Sequence, residues 1–358
     1  MSSLASIYER SLAVVPVPTY LVDPAESAGS RLPSDLKVGE AAYLVIEHML
    51  GDGMSVIDPT ERIWDFATAE ALRSAVEDRP IVGDEPAWRK LARQLGEQPR
   101  QVMLMAAELV FLRDLPNIGY KADTKVADVA RVLSWLPLSV EVPDSMVRAL
   151  TEWQGSFFGG QGYNQYLWKQ LPWLARFVKR WVTVSDLVKD RALSDPWVFH
   201  EVVMDDPDDV PSIRNAFLFL VFPRVFEPIS SERHKRQLRD AFCGVMDVNS
   251  GDDAASVDRD LLAARVALYH KYERPVEWYA EPLLSQWNKP GGEASNALVR
   301  PKHYWLYSPG AGSRLWPEFS HDGIMAIGWD EVGDLALYRD RDHLRTALQG
   351  SPVMKGRT

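Results

Sequence analysis

The 358-residue chain contains a single cysteine, Cys243. One thiol builds neither a disulfide framework nor a cysteine-based zinc site, and such scarcity fits a reducing compartment. Within DAFCGV, on an expected helix, Cys243 reads as a small buried hydrophobe. The opening stretch MSSLASIYERSLAVVPVP has no basic n-region and no cleavable apolar run, so no secretory signal is read there. No segment approaches the ~18 apolar residues of a membrane span. The longest apolar run, Ala216 to Phe222, is far shorter. A soluble, cytoplasmic protein without membrane contact is expected.

Catalytic signatures are also missing. A P-loop requires GxxxxGK followed by Ser or Thr, because backbone amides and the lysine cradle the phosphates. SPGAGSRL has the glycines at the wrong spacing, and FFGGQGYNQ lacks the lysine. The seven histidines are scattered, without HExxH or another ligand spacing, and His200-Glu201 and His321-Asp322 are adjacent pairs that do not share a helix face. No GxSxG elbow is present. No metal, no cofactor and no enzymatic activity are expected of this chain.

What is present is an ordinary globular composition, 46% apolar and 25% charged. Forty basic against fifty acidic residues leave a net charge of −10, which argues against a surface that attracts phosphate everywhere. A local basic face remains compatible with it. Thirteen tryptophans suit a bulky core or stacking surfaces.

The expected fold is mainly α: a multi-helix N-terminal domain followed by a small α+β C-terminal module. Residues 1–38, broken by Pro16, Pro18, Pro24 and Pro33, read as an irregular arm around one short helix. Residues 39–287 carry apolar positions at three- and four-residue spacing, as in Val102, Met105, Ala106, Leu109 and Val110, and read as one all-α domain. Its glycine-rich break suggests a subdivision near residue 158. Residues 288–302 form a Pro/Gly/Asn-rich linker. In 303–358 the pattern changes to short aromatic strands, Tyr304–Tyr307 and Ile324–Trp329, with a helix from Asp342 to Gln349.

Three regions carry candidate binding residues. In Tyr163–Trp181, Trp168, Trp173, Phe177 and Trp181 recur at spacings of four and five, with Lys169, Arg176, Lys179 and Arg180 between them. Such a segment serves either as a face that stacks on bases while its cations meet phosphate, or as a helix with a bulky core stripe and a solvated basic face; the second is the commoner arrangement. A second segment, capped by Ser230 or Ser231, gathers Arg233, His234, Lys235, Arg236 and Arg239. Basic residues at a helix N-terminus oppose the helix dipole, which implies an anionic neighbour: a phosphate, or carboxylates such as Asp205–Asp209. Third, Trp305, Trp316 and Trp329 are either walls for an extruded base or the core of a small barrel.

The run YWLYSPGAGSRLWPEFSHDGIMAIGWDEVGDL resembles the opening of the EVE-like domain that precedes the motor of McrB-type AAA+ restriction ATPases. The likeness rests on Tyr304-Trp305-Leu306, Pro309-Gly310, Trp316, Phe319, Gly323-Ile324, Ile327-Gly328-Trp329 and Gly333-Asp334-Leu335. FLFLVFPRVFEPISSERHKRQL is similar to a stretch of the helical regions found at the N-terminus of such proteins. The resemblance implies a PUA-type barrel of the EVE/YTH kind, with an aromatic cage for a modified base. It further implies a place in antiviral defence beside an AAA+ motor and a separate nuclease subunit. Residues 303–358 are fewer than such a barrel requires, so completion by residues beyond Thr358 or by a partner is expected. The expected function is the non-catalytic DNA-recognition portion of a type IV-like restriction system directed at modified DNA, modified cytosine included. The alternative is a helical protein-docking module of a defence complex that never touches nucleic acid.

Overall fold

Helix starts follow capping chemistry. Asp65 accepts from the Thr68 amide, Ser185 from Val188, Asp195 from Trp197 and Val198, Ser231 from His234, and Asp253 from Ser256. Each side chain satisfies an N–H that the first helical turn leaves without an intrahelical partner. Other helices open on a proline in the first turn, Pro33, Pro196 and Pro211, where the missing N–H costs nothing. The polar and proline punctuation of the sequence thus becomes a succession of short helices.

The computed structural model describes residues 24–138, 140–206, 208–245 and 251–288, together with Trp316. The helices are α1 (Pro24–Gly29), α2 (Pro33–Leu50), α3 (Phe66–Glu77), α4 (Ala87–Leu95), α5 (Arg100–Asp114), α6 (Ala122–Leu133), α7 (Asp144–Glu152) and α8 (Gly160–Gln165). They continue as α9 (Leu167–Thr183), α10 (Asp186–Ser194), α11 (Pro196–Met204), α12 (Pro211–Val221), α13 (Glu232–Phe242), α14 (Ala254–Tyr272) and α15 (Leu284–Trp287). Among the described residues no strand forms; two isolated bridges, Met54 with Arg62 and Asn117 with Phe157, pin loops. The protein is mainly α-helical. The chain divides into two units, Met1–Ala297 and Leu298–Thr358. The α+β module expected at 303–358 lies outside the described residues except for Trp316.

The first unit is built around α5, which is buried from Val102 to Asp114. Helices α3, α6, α9 and α12 pack against it. Helix α9 lies along α3, and α12 along α2. Helix α2 begins at Pro33, inside the span expected to be an irregular arm, because proline is well tolerated in a first turn. One apolar core runs from Val38 to Phe226 and a second from Ile229 to Trp287. Residues on both sides of position 158 share the first core, so the core divides after Phe226 and not near 158.

A buried ionic cluster occupies the joint between the cores. The Glu227 carboxylate accepts from Arg31 Nη1 at 2.7 Å, Arg265 Nε at 2.8 Å and Trp278 Nε1 at 2.7 Å. Arg31 also donates to the carbonyls of Pro223 and Phe226, and Arg265 to those of Ser27 and Arg224. Burial alone would raise the Glu227 carboxyl, but the two guanidinium groups outweigh it and hold the group below its usual range. On α2, Gly39 lets Pro223 approach: a Cβ there would lie 2.5 Å from the proline Cγ.

A second buried carboxylate, Glu108 on α5, accepts from Ser55 Oγ and from the Val56 and Ile57 amides, which fixes the loop after α2. Burial nevertheless pushes its carboxyl up to about 7.

Two expectations follow. Replacing Glu227 by Ala leaves two buried guanidinium groups without their counter-charge and should cost about 3–5 kcal/mol in urea unfolding; a loss below 1 kcal/mol would count against this role. Because the folded pKa of Glu108 is raised, its ionisation penalty is absent below about 4.5, its unperturbed value, and complete above about 7. Parent stability should therefore fall between pH 5 and pH 8 relative to Glu108→Gln, by ~3 kcal/mol at most. A difference in melting temperature that does not vary with pH overturns that assignment.

Candidate nucleic-acid interface

The turn before α8 forms where Gly155 takes φ of +114° and passes over the Pro116 carbonyl, 2.7 Å from where a Cβ would sit. Phe157 turns inward onto Tyr163, with ring centroids 5.3 Å apart, and Phe158 turns outward and is 53% exposed. The Tyr163 hydroxyl donates to the Arg113 carbonyl at 2.7 Å, which ties α8 to the end of α5.

Helix α9 sorts its aromatics by face. Trp173, Phe177 and Trp181 are core, and Trp181 Nε1 donates to the Leu50 carbonyl at 3.0 Å. Trp168 lies in the first turn and is 53% exposed. Its ring meets the half-exposed Tyr166 edge to face, with centroids 6.5 Å apart. The Lys169 ammonium sits 5.0 Å from the Trp168 centroid and 5.6 Å from that of Tyr166.

The remaining cations of α9 are engaged. Arg176 pairs with Glu77 and Asp206, Lys179 with Glu70, and Arg180 with Asp206 at 2.6 Å. Lys179 also lies over the Phe66 ring. The acidic turn around Asp206 therefore binds this helix. Another member of that turn, Asp209, pairs with Arg214.

Helix α13 finds different carboxylates. Lys235 is buried and donates to Asp258 at 2.7 Å and to Asn215 at 3.1 Å, with His200 3.6 Å from the other Asp258 oxygen. His234 is buried against Trp287 and bonded to the Tyr279 hydroxyl at 3.1 Å; burial, then the Arg233 charge, lowers its pKa to about 4. Arg239 is buried and donates to the Gly251 carbonyl and to Asp240 and Asp252. Arg236 reaches Glu232 and the Asp252 carbonyl. Arg233 is exposed, and among the described residues no carboxylate pairs with it. The charge that opposes the dipole of α13 is answered within the fold, so His234, Lys235 and Arg239 point away from any surface phosphate.

Other placements differ from expectation. Cys243 is exposed, because Phe242 takes the last core position of α13 and the 3-10 turn Cys243–Val245 leaves the core. Trp316 is helical and 53% exposed, whereas Trp305 and Trp329 lie outside the described residues. Tyr166 and Phe158 are also exposed, at 45% and 53%, and spacing does not single them out. The alternation Phe157-Phe158 across a glycine-rich turn is the signal that points to them. No helix among the described residues is long and apolar enough to cross a membrane. Nor, among them, does any group of three His, Cys, Asp or Glu residues form a metal site.

Compared with protein-family profiles, curated proteins and solved structures, the chain matches none of them.

The two kinds of cation on α13 should separate in experiment. Lys235→Ala leaves Asp258 buried without its main counter-charge and should lower stability by about 3–5 kcal/mol. Arg233→Ala should change it by less than about 0.5 kcal/mol. Equal effects of the two in urea unfolding would contradict the inward placement of Lys235.

Proposed function

We propose that this chain is the non-catalytic DNA-recognition portion of a McrB-like, type IV-like restriction system, acting with an AAA+ motor and a nuclease subunit. The observation that carries the reading is the run from Tyr304 to Leu335, which resembles the opening of the EVE-like module of such ATPases. Aromatic walls from Trp305, Trp316 and Trp329 suit a flipped modified base, since an unstacked base needs flat apolar surfaces on both faces. The exposed Trp316 ring is compatible with that role. In the helical unit, most of the basic residues of α9 and α13 are paired internally.

A second reading has its own support. Internal pairing of Arg176, Lys179, Arg180, Lys235 and Arg239, together with the net charge of −10, favours a helical protein-docking module without nucleic-acid contact. Titration of the full chain with short duplexes, with and without 5-methylcytosine, at two salt concentrations separates the readings. Tighter binding of the modified duplex, with the preference lost in Trp316→Ala, is expected. Equal affinity for both duplexes sinks the cage, and no duplex binding at low salt leaves the docking reading.

A further inference from the structure

We propose that Tyr166, Trp168 and Lys169 form a stacking platform for single-stranded nucleic acid on the helical unit, a site distinct from the cage of the C-terminal module. The inference rests on the DNA-recognition reading above and adds a second strand-binding surface to it.

Three observations carry it. First, Tyr166 and Trp168 are about half exposed at the α8–α9 junction while the other aromatics of α9 are core, so their exposure is not a side effect of an aromatic-rich helix. Second, Lys169 is the one basic residue of α9 that, among the described residues, has no carboxylate partner; its neighbours are the two rings. Third, no Asp or Glu occurs between Glu152 and Asp186, although the chain is acidic overall. Along the chain, therefore, the platform is flanked by no carboxylate, and those that reach α9 from elsewhere pair with Arg176, Lys179 and Arg180.

Flat rings beside an unpaired cation match the two faces of a nucleotide: the base stacks and the phosphate meets the ammonium. A cationic peptide would meet Lys169 as a like charge. A duplex keeps its bases stacked on each other and offers no free face to Trp168, which favours a single strand. Pro172 has no N–H to donate to the Trp168 carbonyl, so that carbonyl is left without its usual intrahelical donor. The mode is sequence-tolerant, because every base has a π-face.

The test uses the full chain and a fluorescein-labelled oligothymidylate, followed by anisotropy at two salt concentrations, with tryptophan quenching as a second readout. Binding should weaken about tenfold in Trp168→Ala, equivalent to about 1.4 kcal/mol. Lys169→Ala should reduce the slope of log affinity against log salt by about 0.7. Both positions are exposed, so circular dichroism and melting should match the parent. Trp168→Phe should restore most of the affinity. No binding of the oligonucleotide at low salt, or unchanged affinity in Trp168→Ala, overturns the platform; selective capture of a peptide or protein through Trp168 in place of the oligonucleotide overturns it equally. The duplex titration with 5-methylcytosine reads the C-terminal module separately. Modified-duplex preference that survives Trp168→Ala leaves the recognition reading standing when the platform fails. Single-strand binding without that preference fails the cage alone.

Discussion

The helical unit depends on one carboxylate. Glu227 stands where two apolar cores meet and takes hydrogen bonds from the α1–α2 junction, from α14 and from Trp278. Removing two guanidinium groups and a carboxylate from water is expensive, and such a cluster adds little net stability over an apolar packing of the same volume. Its effect is on register. Each guanidinium also donates to main-chain carbonyls, Arg31 to those of Pro223 and Phe226 and Arg265 to those of Ser27 and Arg224, so shifting α14 against α1 would leave buried donors unmet. Asp35, whose carboxyl burial pushes up to about 6 although the Arg31 charge pulls it down, completes the surroundings of the cluster.

A second buried network repeats the principle nearby. Lys235, Asp258, Asn215 and His200 tie α13, α14, α12 and α11 together through a buried ion pair and its neighbours. The conspicuous stretch FPRVFEPISSERHK therefore codes for a joint: Phe222 and Phe226 close the first core, Ile229 opens the second, and Glu227 and Lys235 supply the polar contacts between them. A charge-rich helix in a sequence is ambiguous for this reason. Its cations serve an external anion or an internal one, and the choice lies with residues far away along the chain.

The same reasoning narrows the surface. Arg176, Lys179 and Arg180 face α3 and the acidic turn, where Glu70, Glu77 and Asp206 neutralise them. Partly exposed pairs of this kind contribute little energy each, but they occupy cations that would otherwise attract phosphate. What remains outward at the start of α9 is an aromatic pair with a lysine. That contrast, more than the number of basic residues, gives the α8–α9 junction its character.

The helical class was legible in the sequence because it rests on local causes. Apolar spacing marks α5, Ser231 marks a helix start, and prolines mark the breaks. The continuous core across position 158 was not legible, since a glycine-rich turn looks the same whether it links two domains or folds back within one. Neither was the fate of Cys243, which depends on α13 ending one residue earlier, at Phe242. The candidate site was half legible: the segment Tyr163–Trp181 stands out by composition, but its buried and exposed rings do not. The sequence by itself determined the helical class and several of the helix boundaries. Only the tertiary structure decided which charges face each other, because ion pairs such as Lys235–Asp258 and Arg176–Glu77 join residues that no local pattern connects.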